Sequence, residues 1–140
     1  MVPFKELNHV SVAVSDLEKA RRFYGGVIGL EEIPRPDFGF PGVWYALGGG
    51  LSLHVIVKDD LPGRPVEQHR FDIKDPHVAF WVDDADATFE RLSRIGRPFY
   101  DFVSTPTGLR QLFVHDDDAN MLEFIGPTRD ARVPRLESPA

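Results

Sequence analysis

The sequence predicts an α+β protein made of two tandem βαβββ modules whose strands form a curved mixed sheet. Each half of the chain begins with period-two alternation, continues with a helical stripe and ends with three short extended runs. The halves also share landmarks at one offset, since His9 lies 68 positions before His77 and Asp16 lies 68 before Asp84. A chain of 140 residues suits one domain, so both modules are expected to belong to a single domain over residues 1–140.

The first module is expected over about residues 5–57. Its opening stretch, LNHVSVAV, alternates in period two as a half-buried strand does. The next stretch, SDLEKARRFYGGVIGL, places its apolar residues on one helical stripe, with Ser15 or Asp16 as the N-cap. Gly29 can end this helix in a left-handed turn. Three extended runs complete the module: LEEIPR, GVWYAL and LSLHVIV.

The second module is expected over about residues 76–126, after a polar, proline-containing linker at residues 58–75. It repeats the order of the first module. A strand, PHVAFWV, is followed by a helix, DDADATFERLSRIG, and by three further strands, RPFYDFV, LRQLFVH and NMLEFIG. Residues 127–140 have little apolar content and are expected to form an extended or frayed tail.

The repeat extends to the helix ends and to the last strands. Gly29 and Gly96 are 67 positions apart, and His54 and Glu123 are 69 positions apart. An internal repeat at this period indicates two copies of one supersecondary unit. Neither copy can close a core alone, so we expect the two sheets to pair around a roughly twofold axis.

Composition and charge exclude several classes of protein. The net charge of -6 and the absence of a lysine- or arginine-rich face argue against nucleic acid as a partner. The lack of cysteine excludes disulfides, zinc-thiolate sites and cysteine nucleophiles. No apolar run approaches the roughly 20 residues of a membrane helix, so no membrane partner is expected. The opening residues do not resemble a signal peptide, so the expected location is the cytoplasm.

Strand alternation places four metal-capable side chains at repeat-equivalent positions. His9 and His77 open the first strand of each module, and His54 and Glu123 lie in the fourth strands, on the faces opposite the valines. A single strand histidine is more often a core or edge residue than a ligand. Four such residues in two matched pairs favour a metal site, because a buried glutamate without a cation is costly. The remaining histidines, His69 and His115, have no repeat partner and are interpreted as surface residues.

This set of donor atoms limits which metal ions can bind and which reactions are available. Three histidines and a carboxylate without sulfur suit one divalent ion per site: Zn, Ni, Co, Mn or Fe(II). Without His54, the set matches the two-histidine, one-carboxylate triad of non-haem iron oxygenases. Such an ion polarises neighbouring substrate oxygens, and Glu123 can move a proton beside them as the catalytic residue. Four further residues are candidates for substrate binding, although strand surface or ordinary packing also explains them: Tyr100, Arg110, Gln111 and Trp44.

Three stretches resemble the vicinal oxygen chelate superfamily, which comprises glyoxalases, bleomycin resistance proteins and dioxygenases. They are LNHVSVAVSDLEKARRFYGGVIGL, HVAFWVDDADATFERL and FVHDDDANMLEF, and the resemblance covers about residues 5–126. It implies the paired βαβββ fold, a homodimer with sites near the interface, and metal ligands at His9, His77 and Glu123. His54 takes the position of a variable fourth ligand, which looks like glutamate in the family's bacterial-type glyoxalase I and glutamine in its methylmalonyl-CoA epimerase. The closing hairpin also departs from the family's Asp-Pro-Asp-Gly, since it reads DDDAN.

Three kinds of function follow from the residues and the resemblance. The first is a glyoxalase I-like lyase or isomerase acting on a small carbonyl substrate. The second is another metal-dependent reaction, either extradiol-type ring-opening oxygenation or thiol transfer of the fosfomycin type with a thiol cosubstrate. The third is a small-molecule binding or resistance protein without turnover. Binding proteins of that family generally lack the ligand set, so all four ligand positions favour an enzyme.

Overall fold

The computed structural model describes residues 1–130, and most of the tail expected over residues 127–140 therefore lies outside the described residues. The chain divides into two compact units between Arg64 and Pro65. Each unit contains one βαβββ module, as the sequence predicts. Within residues 1–130, no helix is long and apolar enough to cross a membrane.

The first unit forms a four-stranded sheet in the order β1-β4-β3-β2, with β1 parallel to β4 and the other neighbours antiparallel. Its elements are β1 (His9–Val14), α1 (Leu17–Arg21), a π-helical turn (Arg22–Ile28), β2 (Glu32–Ile33), β3 (Gly42–Gly48) and β4 (Leu51–Val57). One face of this sheet packs against α1 and the π-helical turn, and there the alternating side chains Val43, Tyr45, Leu53 and Val55 are buried. The other face carries His9, His54 and Trp44.

The second unit repeats this topology in the order β5-β8-β7-β6, with β5 parallel to β8. Its elements are a 3₁₀ turn (Val66–Gln68), β5 (His77–Trp81), α2 (Ala85–Ile95), β6 (Phe99–Val103), β7 (Arg110–His115) and β8 (Met121–Gly126). Helix α2 packs on β7 and β8 and covers buried Leu112, Val114 and Leu122. The opposite face of β8 carries Glu123.

Side-chain caps and left-handed glycines set the helix boundaries. The Asp16 carboxylate accepts a hydrogen bond from the Lys19 amide, and Asp84 accepts from the amides of Asp86 and Ala87. Gly29 and Gly96 end the two helical segments at φ 85° and φ 76°, a region that glycine enters without the strain of a side chain.

The first helical segment differs from the single helix that the pattern predicts, because it continues as a π-helix. From Asp16 to Gly29 the chain advances 13 positions, whereas from Asp84 to Gly96 it advances 12. The extra residue is accommodated by the wider turn, in which the Gly29 amide donates to the Tyr24 carbonyl five residues earlier at 3.1 Å. The wider turn therefore absorbs the extra residue within the helical segment.

Strand pairing confirms the repeat residue by residue. In the first unit, Ser11, His54 and Trp44 lie side by side across β1, β4 and β3. In the second unit, the same row across β5, β8 and β7 is formed by Ala79, Glu123 and Phe113. His54 and Glu123 thus occupy equivalent places in the two sheets.

Candidate functional site

Glu123 and His77 form a close pair in the second unit. Glu123 lies in the middle of β8 and is 4% exposed, and His77 begins the neighbouring strand β5. The distance between His77 Nε2 and Glu123 Oε2 is 2.9 Å. The parallel pairing of β5 with β8 places His77 one row from Glu123 on the same face, which explains the contact.

The backbone fixes which nitrogen of His77 faces the carboxylate. His77 Nδ1 lies 2.7 Å from the carbonyl oxygen of Asp75, and a carbonyl oxygen can only accept, so Nδ1 carries the donated hydrogen. Nε2 therefore carries a lone pair. This lone pair would be repelled by those of Glu123 Oε2 unless a cation lies between the two atoms. That cation is either a proton on Nε2 or a metal ion held by both atoms.

The spacing of these two atoms fits a metal ion. Ligand bonds of about 2.1 Å at right angles place two ligand atoms about 3.0 Å apart. The observed separation of 2.9 Å is close to that value. An Nδ1–H bonded to a backbone carbonyl is also the usual arrangement of a histidine that binds a metal through Nε2.

Gln111 holds the second oxygen of the same carboxylate. Its side-chain nitrogen donates to Glu123 Oε1 at 2.6 Å, across the pairing of β7 with β8. One carboxylate oxygen is thus restrained by a neutral donor, and the other lies beside His77. This arrangement leaves a single oxygen of Glu123 available to a metal ion or to a proton.

The first unit contributes a histidine pair of different geometry. The rings of His9 and His54 stack at 3.9 Å between centroids with planes 9° apart, and Trp44 stacks on His54 at 4.0 Å. His54 therefore lies between the other two rings, as its central strand β4 requires. His9 Nδ1 donates to the Asn8 side-chain oxygen at 2.7 Å, which leaves its Nε2 lone pair available, as at His77.

Stacked rings cannot both bind one ion in this arrangement. An imidazole coordinates a metal along a lone pair in its ring plane, and two parallel rings direct these lone pairs along planes that do not meet. The Nε2 atom of His54 is moreover 3.0 Å from the Ser52 hydroxyl. Burial lowers the pKa of His54, and His9 and Arg35 lower it further, so the ring is neutral near pH 7. His9 thus keeps an unengaged Nε2, whereas Nε2 of its stacking neighbour His54 is engaged with Ser52.

Each unit by itself therefore supplies one pair of donors. Within residues 1–130, no three histidine, cysteine, aspartate or glutamate side chains are gathered in a position to hold an ion. Within the second unit, the pair of donor atoms fits a divalent ion chemically, since His77 Nε2 and Glu123 Oε2 face each other while Nδ1 and Oε1 are already hydrogen-bonded.

The predicted substrate-binding residues lie in different environments. Trp44 stacks on His54, and Gln111 contacts Glu123. Tyr100 lies on the Glu123 face of its sheet, 42% exposed, with its ring 6.2 Å from that of Phe113.

Arg110 lies on the opposite face of β7 from Glu123 and is 7% exposed. Its guanidinium donates to both oxygens of Asp101 at 2.8 Å and to Asp86 at 2.9 Å. It also lies 4.2 Å from the ring centre of Phe89. Arg110 thus joins α2 to the strands and is not brought into contact with Glu123.

The interpretation of His115 as a surface residue is wrong. Its side chain is 3% exposed and stacks on Phe71 at 4.3 Å between centroids. Burial lowers its pKa to about 4, and the nearby imidazole of His69 lowers it as well. Period-two alternation gives the signal that sequence reasoning missed, because His115 shares a face with buried Phe113.

The chain belongs to the Glyoxalase/Bleomycin resistance protein/Dioxygenase superfamily, whose family model matches residues 6–124. Bovine mitochondrial methylmalonyl-CoA epimerase is 53% identical over 58 residues, which cover 38% of this chain and 33% of the epimerase. The match thus spans about a third of that relative.

Solved structures of the superfamily have the same fold. A glyoxalase family protein from Bacillus anthracis superposes with a TM-score of 0.69 at 29% identity, covering 91% of this chain and 98% of that chain. A glutamate-to-glutamine mutant of FosX, a fosfomycin resistance protein from Listeria monocytogenes, superposes with a TM-score of 0.69 at 20% identity. That likeness covers 95% of this chain and all of the FosX chain, which is complexed with Mn(II) and a dihydroxypropylphosphonic acid.

Proposed function

We propose that the protein is a divalent-metal-dependent, glyoxalase I-like lyase or isomerase that acts on a small carbonyl substrate. The observation that carries the proposal is the His77–Glu123 pair. Its Nε2 and Oε2 atoms face each other at 2.9 Å, with Nδ1 already committed to the Asp75 carbonyl. Such a pair is preorganised to receive one cation.

In this proposal the ion is held by His9, His77 and Glu123, with His54 either as a fourth ligand after rotation of a ring or as the stacking partner of His9. We further propose that the active protein is a homodimer located in the cytoplasm. Zn, Ni, Co, Mn and Fe(II) suit these nitrogen and oxygen donors. The bound ion supplies Lewis-acid polarisation of neighbouring substrate oxygens.

The residues of the chain then supply positioning and proton transfer. Because Gln111 holds Oε1, the same Oε2 would serve in turn as metal ligand and as base: it would take a proton from the carbon beside the carbonyl and return it to the neighbouring atom, so the isomerisation needs no further reagent. Gln111 holds the other oxygen of Glu123 and thereby orients the carboxylate. The Asp75 carbonyl holds the imidazole of His77 in one tautomer.

The relatives support a carbonyl substrate, since one of them is named as a methylmalonyl-CoA epimerase. A second candidate function is extradiol-type oxygenation. The specific observation in its favour is that His54 is stacked between two rings and contacts Ser52, because His9, His77 and Glu123 without His54 match in residue type the triad of non-haem Fe(II) oxygenases. Thiol transfer of the fosfomycin type, with a thiol cosubstrate, is tested beside it. Small-molecule binding without turnover is the remaining alternative.

The test begins with metal-free protein and each of the five ions, measured by calorimetry. We expect about one ion per chain, with tighter binding than in His77→Ala. The control is His69→Ala, which changes a histidine outside the proposed ligand set. Equal uptake by wild type and His77→Ala, or no uptake by wild type, would contradict the metal proposal.

Loaded protein is then assayed with a hemithioacetal, an acyl-CoA epimer pair, a catechol with oxygen, and fosfomycin with a thiol. Conversion of the first or second substrate supports a lyase or isomerase. Turnover of catechol with Fe(II) alone would replace that assignment by the dioxygenase, and turnover of fosfomycin alone by the thiol transferase. A metal-loaded protein that binds but converts none of them would support the binding protein.

A further inference from the structure

Arg35 places a positive charge on the His54 face of the first sheet. It lies between β2 and β3, and its guanidinium rests on Gly42. A Cβ atom at Gly42 would lie 3.0 Å from the Cζ and Nε atoms of Arg35, so a larger residue would displace the guanidinium. Gly42, Trp44 and Ala46 alternate onto one face of β3, and Trp44 pairs with His54 on β4.

Arg35 makes no ion pair within 4.0 Å among residues 1–130, and Asp37, which lines the same cleft, accepts a hydrogen bond from the Gly39 amide. One terminal nitrogen donates to the Phe40 carbonyl at 3.1 Å, and the buried Nε has no acceptor in that range. Arg21 offers a contrast, since it lines the same open cleft of about 570 Å³ but pairs with Glu18 and Glu32 at 3.1 and 3.2 Å. The guanidinium of Arg35 therefore keeps donors available to a ligand.

Aromatic rings hold this guanidinium in place. The centres of Phe38 and Phe40 each lie 5.0 Å from Arg35 Cζ, and Phe38 lies 5.8 Å from Trp44. Both phenylalanines are about half exposed, at 51% and 46%, so their rings border solvent and not a filled core. A ligand can therefore reach the guanidinium beside these rings, and the fixed fork of arginine matches a carboxylate or a phosphonate.

We propose that Arg35 binds the oxyanion group of the substrate, a carboxylate or a phosphonyl or phosphoryl group, with the adjoining apolar part of the ligand against Phe38 and Trp44. This inference rests on the proposed function for its substrate, but the oxyanion site stands on residues of the first unit alone. In this proposal Arg35, which lies between β2 and β3 on the same face as His9 and His54, determines substrate specificity.

The experiment titrates metal-free protein with benzoate, phenylphosphonate and the neutral analogue benzamide at constant ionic strength. The indole N–H signal of Trp44 is followed by NMR and assigned with Trp44→Phe. The variants are Arg35→Met, which keeps length but removes charge, and Arg35→Lys, which keeps charge but loses the fork. Arg21→Met is the matched control, because it removes the same charge from the same cleft. Thermal unfolding confirms that each variant is folded.

We expect both anions to shift the Trp44 signal and benzamide to leave it unchanged. Arg35→Met should weaken binding by about tenfold or more, Arg35→Lys should recover part of it, and Arg21→Met should bind like wild type. Equal binding by wild type and Arg35→Met, or binding of benzamide as tight as that of benzoate, would overturn the inference. So would the absence of any shift with either anion.

The two proposals fail separately. Metal uptake without anion binding at Arg35 would retain the proposed function and remove this inference. Anion binding that depends on Arg35, in a protein that takes up no metal, would retain the oxyanion site and remove the metal chemistry.

Discussion

His54 in the first unit and Glu123 in the second occupy equivalent positions in their respective sheets, but different side chains surround them. His54 lies between the rings of His9 and Trp44. Glu123 instead contacts an imidazole nitrogen on one oxygen and an amide nitrogen on the other. The residue equivalent to Gln111 in the first unit is Gly42, which has no side chain to offer.

This difference indicates that the repeated fold determines the position of a donor side chain. The neighbouring side chains determine which of its atoms remain available to a ligand. Ring faces hold His54 in a stack, so its nitrogens are directed away from His9. Polar neighbours hold Glu123 with one oxygen restrained and one available. We therefore expect the second unit to contribute more to metal affinity than the first. Substitutions at Glu123, Gln111, His54 and His9 test this expectation, and a substitution at His115 tests a second difference between the units, the buried titrating group.

The largest effect is expected from Glu123→Gln, which keeps the shape of the side chain but removes its charge. Without the anionic ligand, Mn(II) affinity measured by calorimetry should fall by more than about 100-fold. Glu90→Gln is the control, because Glu90 is an exposed residue of α2 paired with Arg94. A variant that still binds Mn(II) within a few-fold of wild type would remove Glu123 from the ligand set.

Protonation of the buried His115 should produce the next effect. Its pKa is lowered from 6.5 to about 4 in the folded protein, so the unfolded chain binds the additional proton between these values. The contribution of neutral His115 is therefore fully present above pH 6.5 and is lost as the pH falls toward 4.

Urea unfolding at pH 7 and pH 4.5 measures this contribution. The free energy of unfolding of wild type should fall by about 2 kcal/mol more than that of His115→Phe. The equivalent position in the first unit is Ala46, which has no titrating group. A pH dependence that is the same in both proteins would contradict the assignment to His115.

A smaller effect is expected from Gln111→Met, which removes the amide donor and keeps the length of the side chain. Glu123 Oε1 then loses its hydrogen bond, and the carboxylate is free to rotate. Loss of such a supporting contact lowers metal affinity by about 10- to 100-fold. Gln68→Met serves as the control, and Gln111→Glu should weaken binding further by repulsion. If Gln111→Met binds Mn(II) as wild type does, Gln111 does not position Glu123.

The smallest effect is expected from His54→Phe, which preserves the stack on His9 and Trp44. Mn(II) affinity should fall by less than about tenfold, whereas His9→Phe should lower it by more than about 100-fold. The paired variants keep a ring at each position, so they separate coordination from stacking. A loss on His54→Phe as large as that on His9→Phe would mean that a ring rotates and both histidines bind.

The sequence predicts the fold because local and periodic signals agree. Asp16 and Asp84 cap their helices, Gly29 and Gly96 end the helical segments, and the alternation of each strand places its polar residues on one face. These features depend on residues a few positions apart. They can therefore be read without knowledge of the packing between elements.

The details of the site depend on contacts that no local pattern encodes. The stack of His9 on His54 depends on the side-chain rotamers of two residues in different strands. The three-way pairing of Arg110 joins residues 9 and 24 positions away. His115 is buried beside Phe71, which comes from the segment before β5. That segment has no periodic apolar pattern, so its sequence predicts only a linker.

The acceptors that fix His9 and His77 differ in how readily mutation can remove them. At His77 the acceptor is a main-chain carbonyl, which every residue type at position 75 retains. At His9 the acceptor is the side chain of Asn8, which a single codon change can abolish. A substitution of Asn8 should therefore loosen the imidazole of His9, whereas a substitution of Asp75 leaves the acceptor of His77 in place.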